Sequence, residues 1–114
     1  MDSVLAERWF SLSLVEQMVN IGNEVRRAVR FDNDAQRKRA FVDKAVEYTR
    51  LSMSDPKNAR IVPELEICCE VLNDYADRHV LNCSKEQICS YYDKFLLMLQ
   101  GKRIEHRAAE PEDL

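Results

Sequence analysis

The chain has 114 residues, carries 17 Lys+Arg against 20 Asp+Glu for a formal net charge of −3, and is 46% hydrophobic. That is the size of one domain with enough apolar mass for one core, so wholesale disorder is excluded. Only two glycines and three prolines occur, too few for a β-sandwich or barrel, which needs a turn about every 8–12 residues. The longest unbroken apolar run, Phe95 to Leu99, is far too short to cross a membrane. Met1-Asp2-Ser3 lacks the basic start of a signal peptide, so a cytoplasmic protein with four free thiols and no membrane partner is expected.

Met1 to Leu12 contains Trp9-Phe10, which is expected to pack over one open end of a helical bundle. The first predicted helix opens at Ser13-Leu14-Val15-Glu16, a capping box in which hydroxyl and carboxylate each satisfy the other residue's amide. Behind it Leu14, Met18, Ile21, Val25 and Ala28 step by four and three, one apolar stripe on one face. Arg26, Arg27 and Arg30 fall in the last turn, where cations favour the negative end of the helix dipole. Phe31-Asp32-Asn33-Asp34 is a polar connection able to cap the next helix.

The second predicted helix runs from about Ala35 to Met53, with Phe41, Val42, Ala45, Tyr48, Thr49 and Met53 inward. Ser54-Asp55-Pro56 stops it, since a residue before proline is pushed out of the helical region. In the third, Ile61, Leu65, Cys68, Leu72, Tyr75 and His79 form the inward stripe. Pro63 is harmless there if it lies in the first turn, and a kink if the helix begins nearer Lys57. The fourth opens at Ser84-Lys85-Glu86-Gln87, a second capping box, continues through Ile88, Tyr92, Phe95 and Leu99, and is expected to stop at Gly101. Short connections favour antiparallel neighbours, so the expected fold is all-α: an up-down-up-down four-helix bundle. It forms one domain over residues 1–101, with the N-terminal segment packed on it and a charged, frayed tail over residues 102–114.

No catalytic chemistry stands out. Cys68, Cys69, Cys83, Cys89 and His79 lie close in sequence, but no Cys-x-x-Cys pair exists. Adjacent Cys68 and Cys69 diverge by about 100° on a helix, so no pre-formed pair of zinc ligands results. Cys68 and His79 both read as core residues. A di-iron bundle needs Glu-x-x-His, and Ala76 and Arg103 stand three residues before His79 and His106. Glu66, Glu70, Asp74 and Asp77 form an acidic stripe away from the apolar one, read as a solvated face. With Gly22 and Gly101 the only glycines, neither a nucleophile elbow nor a phosphate loop can be built. No arginine lies five to seven residues before either histidine, which is the spacing of helical-bundle ribonucleases. The expectation is a non-enzymatic protein without metal or cofactor.

Three surfaces remain. Ser13, Gln17, Asn20, Glu24 and Arg27 form a polar stripe beside the apolar one, either a network fixing helix register, a partner-facing groove, or a solvated face. Arg26, Arg27, Arg30, Arg37, Lys38 and Arg39 gather around the first turn between helices, in a segment (residues 26–50) with eight basic and four acidic residues. They form a candidate anion or nucleic-acid patch, diluted by Asp32 and Asp34. In the fourth helix nine of the twelve residues from Ile88 to Leu99 are apolar, more than one buried face needs. Tyr91 and Met98, a heptad apart, with Leu97 beside them, form a second stripe and a candidate homo-oligomer interface.

The segments from Arg8 to Val25 and from Ser54 to Asn58 resemble a family of small bacterial helical proteins to which no activity is attached. The resemblance implies a bacterial cytoplasmic origin and transfers no site residue. In architecture alone the chain is similar to the small four-helix proteins of ribosomal RNA intervening sequences and of diversity-generating retroelements, which form symmetric oligomers and are linked to nucleic acid. The leading expectation is a helical interaction module that self-associates and presents a surface to another protein; the alternative is a nucleic-acid-associated bundle using its arginine-rich end.

Overall fold

The computed structural model describes residues 3–77 and 79–109. Among them there are five α-helices and no strand: α1 (Ser3–Phe10), α2 (Leu14–Arg30), α3 (Ala35–Met53), α4 (Val62–Asp77) and α5 (Lys85–Ala109), with a 3-10 helix at Pro56–Ile61 leading into α4. None of these helices is long and apolar enough to cross a membrane.

The helices begin where side chains can supply hydrogen bonds to free amides. The Ser13 hydroxyl accepts from the Glu16 amide at 3.1 Å, and the Ser13 amide donates to Glu16 Oε1 at 3.0 Å. Ser84 and Gln87 make the same reciprocal pair at 3.0 and 2.8 Å, and Asp34 caps α3 by accepting from the Arg37 amide at 3.1 Å. Each such cap contributes about 1 kcal/mol. Asp55 caps the 3-10 helix through the Lys57 amide, with Pro56 at its first position, where no amide is needed. The α-helix proper starts only at Val62, so Pro63 sits in its first turn and makes no kink.

The apolar stripe of α2 is the centre of the core. Met18, Ile21 and Val25 are fully buried, against Val42 and Ala45 of α3, Leu65 and Leu72 of α4, and Tyr92 and Phe95 of α5. Helix α2 packs on α3 and on α5, and α3 packs also on α4. Gly22 permits the α2–α5 approach: a Cβ there would stand 2.9 Å from the Cβ of Tyr92.

Several expectations need correction. The N-terminal segment is itself a helix, held by Trp9, while Phe10 stays on the surface. Trp9 stacks on Tyr48 at 4.7 Å and donates its indole N–H to the Ser52 hydroxyl at 2.8 Å. His79 is not the last core residue of α4. The helix ends at Asp77, and His79 is exposed at φ 55°, its amide bonded back to the Asp74 carbonyl. Asp74, expected on a solvated face, is buried and accepts from the amides of Val80 and Leu81 at 2.8 and 3.0 Å. Gly101 does not stop α5, which continues to Ala109. The helix has good formers on both sides of the glycine, and one interior glycine costs only about 1 kcal/mol. The distal part of the expected tail, residues 110–114, lies outside the described residues.

Candidate functional site

Helices α4 and α5 follow one another in sequence but stand further apart than the α2–α3, α3–α4 and α2–α5 pairs. The space between them is a cleft of about 200 Å³ lined by Ile67, Cys68 and Val71 of α4, Cys83 of the connection, and Ile88 and Tyr91 of α5, among others. Tyr91 spans it. Its hydroxyl donates to Glu64 Oε2 at 2.6 Å, and its ring meets Tyr92 and Phe95 edge-on at 5.0 and 5.6 Å. Lys94 lies 4.3 Å from the Tyr91 ring centroid, a cation over an aromatic face.

Burial keeps the phenols and the Cys68 thiol of this cleft protonated at physiological pH. Burial, reinforced by the Glu64 carboxylate, pushes the Tyr91 phenol well above its ordinary range, and burial does the same for Tyr92. Burial also raises the Cys68 thiol, so it stays protonated and a poor nucleophile. Cys69 and Cys89 are raised by burial too. Among the described residues no group of three or more His, Cys, Asp or Glu converges to hold a metal. What the cleft offers is apolar contact area with a hydrogen-bonded rim.

The predicted interface residues divide. Tyr91 turns into the cleft, whereas Leu97 and Met98 remain exposed at 67% and 48%. Ile67, on the rim, is exposed at 58%; it stands off the apolar stripe of its helix, which is why periodicity passed it over.

The polar stripe does not act as one unit. Gln17 is wholly buried: its amide nitrogen donates to the Trp9 carbonyl and to Asp55 Oδ2, both at 3.0 Å, and its oxygen accepts from Asn58 Nδ2 at 2.8 Å. Asn58 also donates to the Ser52 carbonyl at 3.0 Å. Lys57 bonds the Asp55 carboxylate and the Phe10 carbonyl, tying α1 to the 3-10 helix. Asn20, in contrast, is exposed and bonds only the Glu16 carbonyl of its own helix, and Glu24 pairs locally with Arg27 at 2.6 Å. A register-fixing network exists, but around Gln17 alone and with partners that sequence periodicity does not bring together.

The basic cluster is largely self-neutralised. Arg26 pairs with Asp93, Arg27 with Glu24 and Arg37 with Asp34. Lys38, expected on the surface patch, is buried over the Tyr75 ring and faces Asp32 at 3.5 Å. Arg39 is held by Asp43, Asp77 and Asn73 at 2.6, 2.8 and 2.7 Å. Of the six, Arg30 alone has no carboxylate within reach among the described residues.

No known protein family matches the chain, and neither a curated protein nor a solved structure matches it.

Proposed function

We propose that this chain is a non-enzymatic helical interaction module that self-associates and presents a surface to a protein partner. In this reading α2 to α5 form an antiparallel four-helix bundle with α1 clipped across one end, working in the cytoplasm, where four free thiols persist. The observation that carries it is the α4–α5 face. Apolar side chains line an open cleft there with Ile67 exposed among them, and Leu97 and Met98 are exposed further along α5. Contiguous exposed apolar area on an otherwise well-packed domain marks a binding surface, and a two-fold axis is the commonest way to bury one.

Sedimentation equilibrium at micromolar concentration tests the reading. A dimer or higher oligomer is expected, and Leu97→Glu or Ile67→Glu is expected to give a folded 13.4 kDa monomer. A wild-type monomer throughout would overturn it. The alternative, nucleic-acid binding through the arginine-rich end, has less behind it, since five of the six basic side chains already face carboxylates. Binding to RNA is expected to be weak and to fade between about 50 and 200 mM salt. Sub-micromolar affinity at the higher salt, lost on replacing Arg30, would favour that alternative.

A further inference from the structure

Helix α5 is fastened by contacts that do not depend on the connection leading into it. Ile88, Tyr92 and Phe95 enter the core, Arg26 pairs with Asp93 at 2.6 Å, Tyr91 bonds Glu64 and Lys85 stands 3.7 Å from Asp32. Those partners belong to α2, to α4 and to the turn between α2 and α3. A second copy of the chain presents the same partners in the same geometry.

The connection itself is the costly part. His79 and Asn82 hold a left-handed backbone at φ 55° and 57°, a conformation that residues other than glycine adopt rarely. Between them Val80 and Leu81 are exposed at 71% and 52%, apolar area left in water. Asp74 holds the reversal closed: its buried carboxylate accepts from the amides of Val80 and Leu81, and its carbonyl accepts from that of His79. Helix α5 leaves a cleft against α4 instead of a close-packed contact, so the two helices joined by this reversal do little to keep it folded back.

We propose that the α4–α5 connection is a hinge through which two copies of this chain exchange α5, each packing its α5 on the α2 of the other. Opening frees His79 and Asn82 from the left-handed backbone. The two hinges then run past one another and bring Val80 and Leu81 of both copies together. The six residues 79–84 span about 20 Å when extended, about twice the distance between packed helix axes, so the exchange is within reach. Short connections under strain favour such an exchange, and because every α5 contact is remade it is a low-cost route to a dimer. The α4–α5 face is the same in the exchanged form, so this inference goes beyond the self-association read from that face and does not rest on it.

Carbodiimide coupling of Lys85 to Asp32 reads the exchange, because the two belong to one chain in the closed form and to different chains in the exchanged one. Light and isotope-labelled heavy chains of the Leu97→Glu variant, in which association through the α4–α5 face is expected to be lost, are mixed in urea, refolded, coupled and mapped by mass spectrometry. Lys85–Asp32 links between light and heavy peptides are expected, rising with the protein concentration during refolding. Insertion of Gly-Ser-Gly-Ser after Asn82 is expected to abolish them, since a longer connection lets α5 fold back without strain. Links confined to one isotope at every concentration would overturn the exchange, whatever the oligomeric state, and mixed links undiminished by the insertion would overturn the hinge. The wild-type chain gives the same readout if Leu97→Glu fails to fold. Mixed links from a wild-type chain that is otherwise monomeric would support the exchange while overturning the reading of the face.

Discussion

Where α1 meets the 3-10 helix, polar side chains are buried; between α4 and α5, apolar side chains are exposed. Gln17, Ser52, Asp55 and Asn58 are all at or below 4% exposure, whereas Ile67, Leu97 and Met98 lie between 48% and 67%. Hydrophobicity alone would have these two regions exchanged. The polar end is closed because most of its hydrogen-bonding groups find partners within the chain, and a satisfied buried polar group is tolerated. The apolar face is open because four packed helices with short connections do not supply a surface to cover it. One region is closed by the fold itself, and the other is left open by it.

The largest expected effect lies at the contact behind the cleft. Gly22→Leu would drive a side chain into the space held by Tyr92, whose Cβ is 2.9 Å from where a Cβ at position 22 would stand. Overpacking of this kind costs about 1–3 kcal/mol or more. A fall in melting temperature of about 10 °C is expected by circular dichroism, since 1 kcal/mol corresponds to about 4–8 °C at this size. An unchanged melting curve would mean that α2 and α5 do not approach as described.

A paired substitution sharpens the contrast directly. Gln17→Leu, although it adds an apolar group to a buried site, strands Asp55 and Asn58 without their amide partner and should cost about 1–3 kcal/mol in urea unfolding. Ile67→Ser, although it removes an apolar group, should change monomer stability by no more than about 0.5 kcal/mol because the side chain is largely in solvent. Equal costs at the two positions would erase the distinction between a closed polar end and an open apolar face.

The smallest effect is one of pH. Burial by itself would raise the Asp55 carboxyl, but hydrogen bonds from the Lys57 side chain, Gln17 and the Lys57 amide outweigh it and hold the group below its ordinary value of 3.8. Asp32 is lowered by the Tyr75 hydroxyl, at 2.5 Å, helped by the charges of Lys38 and Lys85 against its own desolvation. A carboxyl lowered on folding adds stability that is complete above its unfolded value and lost as pH falls through its folded one. Stability is therefore expected to decline on acidification below about pH 4, and Asp55→Asn should flatten that decline. A profile unchanged by Asp55→Asn would remove the network from the account.

Helix positions were legible because capping and periodicity are local. Ser13-Glu16, Ser84-Gln87 and the Met18–Ile21–Val25 stripe act within one or two turns, and the structure uses them as the sequence suggests. The polar network was not legible because Gln17 meets Asp55 and Asn58 across separations of 38 and 41 residues, and no pattern along the chain marks such a meeting. Asp55 read only as part of a helix stop. The neutralised arginines were missed for the same reason: Asp93 and Asp77 come to Arg26 and Arg39 from other helices. On α5 the surplus of apolar residues was visible, yet which of them faced α4 was not. Tyr91 turned inward to Glu64 while Leu97 stayed out.

Composition and local pattern by themselves determined that this chain is helical, where three of its helices (α2, α3 and α5) begin and which face of α2 is buried, since those outcomes depend on hydrogen bonds and side-chain spacing within a few residues. Tertiary structure decided which polar groups are buried together, which charges cancel, and which apolar residues are left uncovered. Those outcomes depend on distances between helices, and a linear sequence does not contain them until the helices have packed.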